Sequence, residues 1–132
     1  MRADGTAPGI EDLLAIAEET RAAFPQVFRA AASEVRLLVE DWPDDAILDE
    51  LDIEDGYGLT GLYEGAALTE RSVDWPEPPS TVTLFRRPIL DEWADRGNVT
   101  LTELVSHVTV HEFAHHFGWS DADIERIDRW WE

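Results

Sequence analysis

The sequence contains no cysteine and no lysine, and its single methionine is Met1. Without cysteine, the protein has neither disulfide bonds nor a thiolate metal site. No run of about 18 apolar residues occurs, so the sequence predicts no membrane-spanning helix. The segment from Met1 to Gly9 is small and polar, without the basic stretch and apolar run of a signal peptide. We therefore expect a cytoplasmic protein.

Basic residues are scarce as well. Ten arginines stand against 29 aspartates and glutamates, which gives a formal net charge of −19. Nucleic acid and anionic membrane surfaces would be repelled by such a protein, so neither is expected as a partner, whereas basic peptides would be attracted. The acidity can equally reflect the genome or habitat rather than a partner. Arg86 and Arg87 are expected to pair with carboxylates, and the oligomeric state stays open.

A chain of 132 residues is long enough for one hydrophobic core and too short for two. We expect a frayed tail over 1–8 and a single domain over 9–132. The apolar periodicity and the turn residues predict six helices and three strands. The predicted helices are one from Gly9, those over 26–33, 45–51 and 89–96, a long one over 101–117 and a last one ending at 130–131. The predicted strands are one over 34–40, a short glycine-rich one within 59–65, and one over 81–86 that Pro88 ends. The glycines of the strand within 59–65 are typical of a sheet edge or of a close backbone approach.

The long helix is the best delimited of these elements. Thr100 and Glu103 form a capping-box pattern at its start, and Gly118 provides a stop at its end. On a helical wheel, residues 101–117 show two apolar faces, so we expect this helix to lie in the middle of the domain. One of those faces carries two histidines, so we expect both to lie on one buried face, where their ring nitrogens need partners.

These histidines belong to the sequence His-Glu-Phe-Ala-His at residues 111–115. His111 and His115 are one helical turn apart on the same face, so both imidazoles can bind one metal ion. Glu112 lies beside them, where its carboxylate can reach a metal-bound water without itself being a ligand. The pattern predicts a metal site; the alternative is a pair of hydrogen-bonded core histidines with Glu112 on a solvated flank.

The pattern continues to Gly118 and Asp121, and residues 111–121 resemble the HExxHxxGxxD signature of the zincin metallopeptidases. Segments 59–65 and 83–89 are similar to recurrent segments of a group of small bacterial zincin-like metallopeptidases, so the resemblance covers about residues 10–127. It implies an α+β, zincin-like fold, in which a small mixed sheet packs against a central metal-binding helix.

The resemblance also implies the site. Zn²⁺ would be bound by His111, His115 and Asp121, and Glu112 would be the general base that takes a proton from the zinc-bound water and passes it to the leaving amine. Asp121 also falls in the first turn of the predicted last helix, where an acidic residue is favourable without a metal, and Asp123 is the next candidate for the third ligand. No methionine follows Asp121, so the Met-turn of metzincins has no counterpart.

Two further histidines and two tyrosines bear on the site, and all of them except His116 have two interpretations. His107 is predicted to be a structural polar residue, with stabilisation of an oxyanion as the alternative. His116 is predicted to point away from the site and to be exposed. Tyr57 and Tyr63 are expected to pack beside an edge strand, and the alternative is a phenol that stabilises the tetrahedral intermediate.

Two functions follow from these observations. The first is a zinc-dependent peptidase that hydrolyses peptide bonds through a metal-activated water, with a peptide or protein substrate bound as an added strand near residues 59–64 or 81–86. The alternative is a non-catalytic metal-binding or interaction protein on the same fold, because the sequence shows no obvious substrate pocket and no inhibitory segment.

Overall fold

A computed structural model of the protein describes residues 7–65 and 80–118. Within these ranges the elements are α1 (Ile10–Ala22), α2 (Gln26–Ser33), β1 (Arg36–Glu40), α3 (Asp45–Glu50), β2 (Gly61–Glu64), β3 (Thr81–Phe85), α4 (Arg86–Arg96) and α5 (Leu101–Phe117), with a short 3-10 helix at Gly56–Gly58. This arrangement confirms the predicted α+β class. The predicted last helix lies outside the described residues. None of the helices in the described ranges combines the length and the apolar character that a membrane span requires.

The predicted end of the third strand is wrong. β3 ends at Phe85, and α4 begins directly at Arg86, so that Pro88 lies in the first turn of a helix instead of ending a strand. Proline is tolerated there because the first amide groups of a helix have no partner within the helix. α4 is therefore three residues longer at its start than the predicted helix over 89–96, and Gly97 ends it in a left-handed conformation.

The three strands form one mixed sheet in the order β1-β3-β2. β1 runs parallel to β3, whereas β2 runs antiparallel to it. Thr83 in the middle of β3 lies opposite Leu38 of β1 and Leu62 of β2. Among the described strands β2 thus lies at an edge of the sheet, as its glycines predict, and β3 is buried between its two neighbours.

α5 is the central element of the described structure, because it contacts α1, α4, β2 and β3. Val105, Phe113 and Ala114 are fully buried, and the Phe113 ring meets Phe24 edge to face at 5.3 Å between centroids. The helix begins with the predicted capping box: the Thr100 hydroxyl accepts from the Glu103 amide at 3.0 Å. Burial on several sides therefore confirms the predicted position of this helix in the domain.

Candidate metal centre

α5 brings together three of the four predicted site residues. The possible ligand atoms of His111, Glu112 and His115 all lie within 4.8 Å of one another. The two imidazole rings are 5.3 Å apart between centroids, at an angle of 80°. In the part of the chain that the structure describes, no other group of three histidine or carboxylate side chains has this proximity. Asp121 and its alternative Asp123 lie outside the described residues.

The two imidazoles differ in exposure from what the helical wheel indicates. His111 is half-buried and His115 is exposed, so the prediction that they share a buried face is wrong. The same side of α5 is buried one and two turns earlier, at Val108 and Leu104. An apolar stripe therefore continues into a solvent-accessible region at its C-terminal end. Access from solvent is what a site that exchanges metal and substrate requires.

Glu112, in contrast, lies beneath the edge strand β2. A Cβ atom on Gly61 would lie 2.9 Å from Cγ of Glu112 and 2.9 Å from Cγ1 of Val108. At Gly61 the backbone of β2 approaches α5 closely, as the sequence predicts, because any side chain at this position would displace Glu112 and Val108. Desolvation by burial raises the pKa of Glu112 to about 7. A carboxyl group with such a pKa can both accept and return a proton near neutral pH.

A cavity of about 220 Å³ adjoins this carboxyl group. It is lined by Thr60, Glu92, Arg96, His107, Val108, His111 and Glu112. The lining residues come from α4, α5 and the residue before β2, so only the folded chain creates this space. The sequence alone does not reveal this cavity.

His107 lines this cavity and is exposed, and its ring lies 6.4 Å from that of His111 between centroids. That position is compatible with both roles predicted for it, which therefore remain predictions.

The prediction for His116 is wrong, because this side chain is fully buried. Its Nδ1 lies 2.9 Å from the hydroxyl of Tyr63, which also donates to Oγ of Ser80 at 3.0 Å. Consecutive helical residues point about 100° apart, so His116 faces the sheet while its neighbour His115 faces solvent. A sequence signal for this burial exists: Val105 and Thr109, both fully buried, precede His116 on one helical stripe.

Tyr57 and the two consecutive arginines Arg86 and Arg87 make structural contacts. Tyr57 meets the Trp42 ring edge to face at 4.7 Å, and its hydroxyl accepts from Arg87 at 3.3 Å. The Arg87 guanidinium lies over the Trp42 ring at 5.3 Å, where the prediction expects a carboxylate partner. Arg86 does pair with a carboxylate as predicted, that of Asp41, at 2.8 Å. The contacts of Tyr57 favour its packing role.

Comparison with known proteins adds an independent observation. A sequence model of a family described as zincin-like metallopeptidases matches residues 32–131. The matched range contains all three strands, the whole of α5 and the position of Asp121. No curated protein is detectably similar to the chain.

Proposed function

This chain belongs to the zincin-like metallopeptidase family, and we propose that it is a zinc-dependent peptidase that hydrolyses peptide bonds in peptide or protein substrates. The observation that carries the proposal is the convergence of His111, Glu112 and His115, with ligand atoms within 4.8 Å of one another beside a cavity. A pair of core histidines, the alternative interpretation of the motif, would not have one member exposed.

The donor set fits zinc. Imidazole nitrogen and carboxylate oxygen are ligands that Zn²⁺ takes readily, and the sequence offers no thiolate that would compete. His111 and His115 would hold the ion, and Asp121 is the proposed third ligand. When bound, zinc would activate a water molecule for attack and polarise the scissile carbonyl.

Glu112 is the proposed general base. Its carboxyl group lies close to the ligand atoms of both histidines, and packing against Gly61 partly shields it from solvent. One carboxylate oxygen can take the proton of the attacking water and hold it. The same oxygen can then deliver that proton to the nitrogen of the leaving amine, which completes the hydrolysis.

The edge strand supports a polypeptide as the substrate. The amide of Phe85 donates to the carbonyl of Thr60 at 2.9 Å. Because inward and outward peptide groups alternate along an antiparallel strand, the N–H and C=O of Gly61 point away from β3. A peptide that paired with Gly61 would run beside Glu112. Within the described sheet β3 is the central strand, so of the two predicted binding edges we propose that of β2.

The proposal is tested with two substitutions. Glu112→Gln should retain zinc and lose cleavage of a peptide library, whereas His115→Ala should lose the zinc. Zinc content is measured by atomic absorption, with about one ion per chain expected for the wild type. A Glu112→Gln variant as active as the wild type would refute the mechanism. A wild type that binds zinc and cleaves no peptide would instead support a non-catalytic metal-binding protein.

A further inference from the structure

The edge strand β2 is attached to α5 at a second point besides Gly61. Tyr63 binds His116 through a hydrogen bond of 2.9 Å, and neither residue lies in the metal cluster. We propose that Tyr63 and His116 are positioning residues, which hold β2 in register along α5 so that a substrate strand can be aligned with Glu112. This inference rests on the proposed function.

The spacing of the two attachment points supports a fixed alignment of β2 along α5. Gly61 packs against Glu112, and Tyr63, two residues along the strand, meets His116, four residues along the helix. Two residues of strand span about 6.6 Å, and four residues of helix span about 6 Å. The strand and the helix therefore run side by side in the same direction, with matched lengths between their contacts.

Gly61 alone cannot fix this alignment. Residues two apart on a strand share one face, so the face of β2 that meets α5 consists of Gly61 and Tyr63. Glycine allows close approach but contributes no side chain that would resist sliding or tilting. A four-residue edge strand is also weakly held by its sheet partner alone. The directional contact on this face comes from the Tyr63 hydroxyl.

The surroundings of the hydroxyl hold it in place. Tyr63 donates to Oγ of Ser80, which is 3% exposed and immediately precedes β3. The carbonyl of Ser80 in turn accepts from the Arg36 amide of β1 at 2.9 Å. His116 is fully buried, so breaking its bond to Tyr63 would leave polar groups away from water. The Tyr63 hydroxyl thus connects α5 to Ser80, the residue that precedes β3.

Steady-state kinetics with an extended peptide test the proposal on the zinc-loaded full chain. His116→Leu should raise KM about fivefold, the effect of one buried hydrogen bond, and Tyr63→Phe, which also removes the bond to Ser80, should raise it at least as much. In both variants kcat should change less than KM, and zinc content should stay the same. The double variant should be no worse than Tyr63→Phe, because that substitution already removes the interaction that His116→Leu removes. His116→Asn places an amide near the position of Nδ1 and should restore KM. Tyr57→Phe, which removes a hydroxyl bound to Arg87, is the matched control and should leave KM unchanged.

Amide hydrogen exchange gives a readout that does not need activity. Leu62 and Glu64 pair with β3, and their amides should exchange about fivefold faster in Tyr63→Phe than in wild type and the Tyr57→Phe control. Unchanged exchange and unchanged KM in Tyr63→Phe would overturn the proposal, as would loss of zinc from that variant. If the wild type cleaves no peptide, the proposed function fails, and exchange still decides whether Tyr63 holds the strand.

Discussion

Replacing Glu112 by glutamine should stabilise the metal-free protein at neutral to alkaline pH, although the same change should abolish activity. Burial beneath β2 raises the pKa of Glu112 from its ordinary 4.5 to about 7. The folded chain therefore binds more protons than the unfolded chain between these two values. Stability falls as the pH rises through this interval, and the penalty is fully present above pH 7 and absent below 4.5.

The size of the effect follows from the two pKa values. Their difference corresponds to roughly 3 kcal/mol of unfolding free energy at pH 8, at about 1.36 kcal/mol for each tenfold change in proton affinity. Glu112 as a residue is not completely removed from solvent, so we take about 2 kcal/mol as the expected effect. Glutamine keeps the shape of the side chain and has no charge to desolvate. For a domain of this size, the melting temperature should rise by roughly 6–10 °C.

The assay is urea and thermal unfolding of chelator-treated protein between pH 5.5 and pH 8.5, followed by circular dichroism. Glu19→Gln removes the same charge from an exposed position on α1, so it controls for the general repulsion in a chain of net charge −19. The gain of Glu112→Gln over wild type should grow with pH, and that of Glu19→Gln should stay small and nearly constant. A gain at pH 8 no larger than that of the control would refute the argument.

Three further predictions concern metal, packing and capping. Zinc should raise the melting temperature of the wild type, by mass action on the folded state, and leave that of His115→Ala unchanged, as scanning calorimetry would show. Gly61→Ala should destabilise the protein by about 1–3 kcal/mol in urea unfolding, because its Cβ would lie 2.9 Å from two side chains; Gly58→Ala, where nothing lies within 4 Å, is the control. Thr100→Ala should lower the unfolding free energy by about 1 kcal/mol through loss of the cap, with zinc stoichiometry unchanged.

The features that sequence predicts well are those set by nearby residues. α2 occupies 26–33 and α5 occupies 101–117 as predicted, because Pro25, Thr100 and Gly118 mark helix ends through local backbone chemistry. The proximity of His111 and His115 is equally local, since a helix places residues four apart together wherever it lies. Such features need no knowledge of the rest of the fold.

The features that the sequence predicts poorly depend on contacts with residues that are distant in the sequence. His116 is polar and stands next to an exposed histidine, but its partner Tyr63 is 53 residues away along the chain. The burial of Glu112 likewise results from the backbone of Gly61, whose role is only hinted at by the glycines around it. Pro88 shows a related limit, because proline is compatible both with the end of a strand and with the first turn of a helix.

Consecutive positions on α5 meet different surroundings, and this explains how so small a domain can hold opposed requirements in one site. A metal ligand needs access to solvent, whereas a general base near neutral pH needs partial removal from it. His115 is exposed, Glu112 is covered by β2, and His116 is fully buried, all within five residues. α5 meets both needs, because Glu112 lies under the edge strand β2 while His115 reaches solvent. The position of β2 then decides how far Glu112 is desolvated, so the contacts of Gly61 and Tyr63 with α5 matter as much to the proposed chemistry as the ligands themselves.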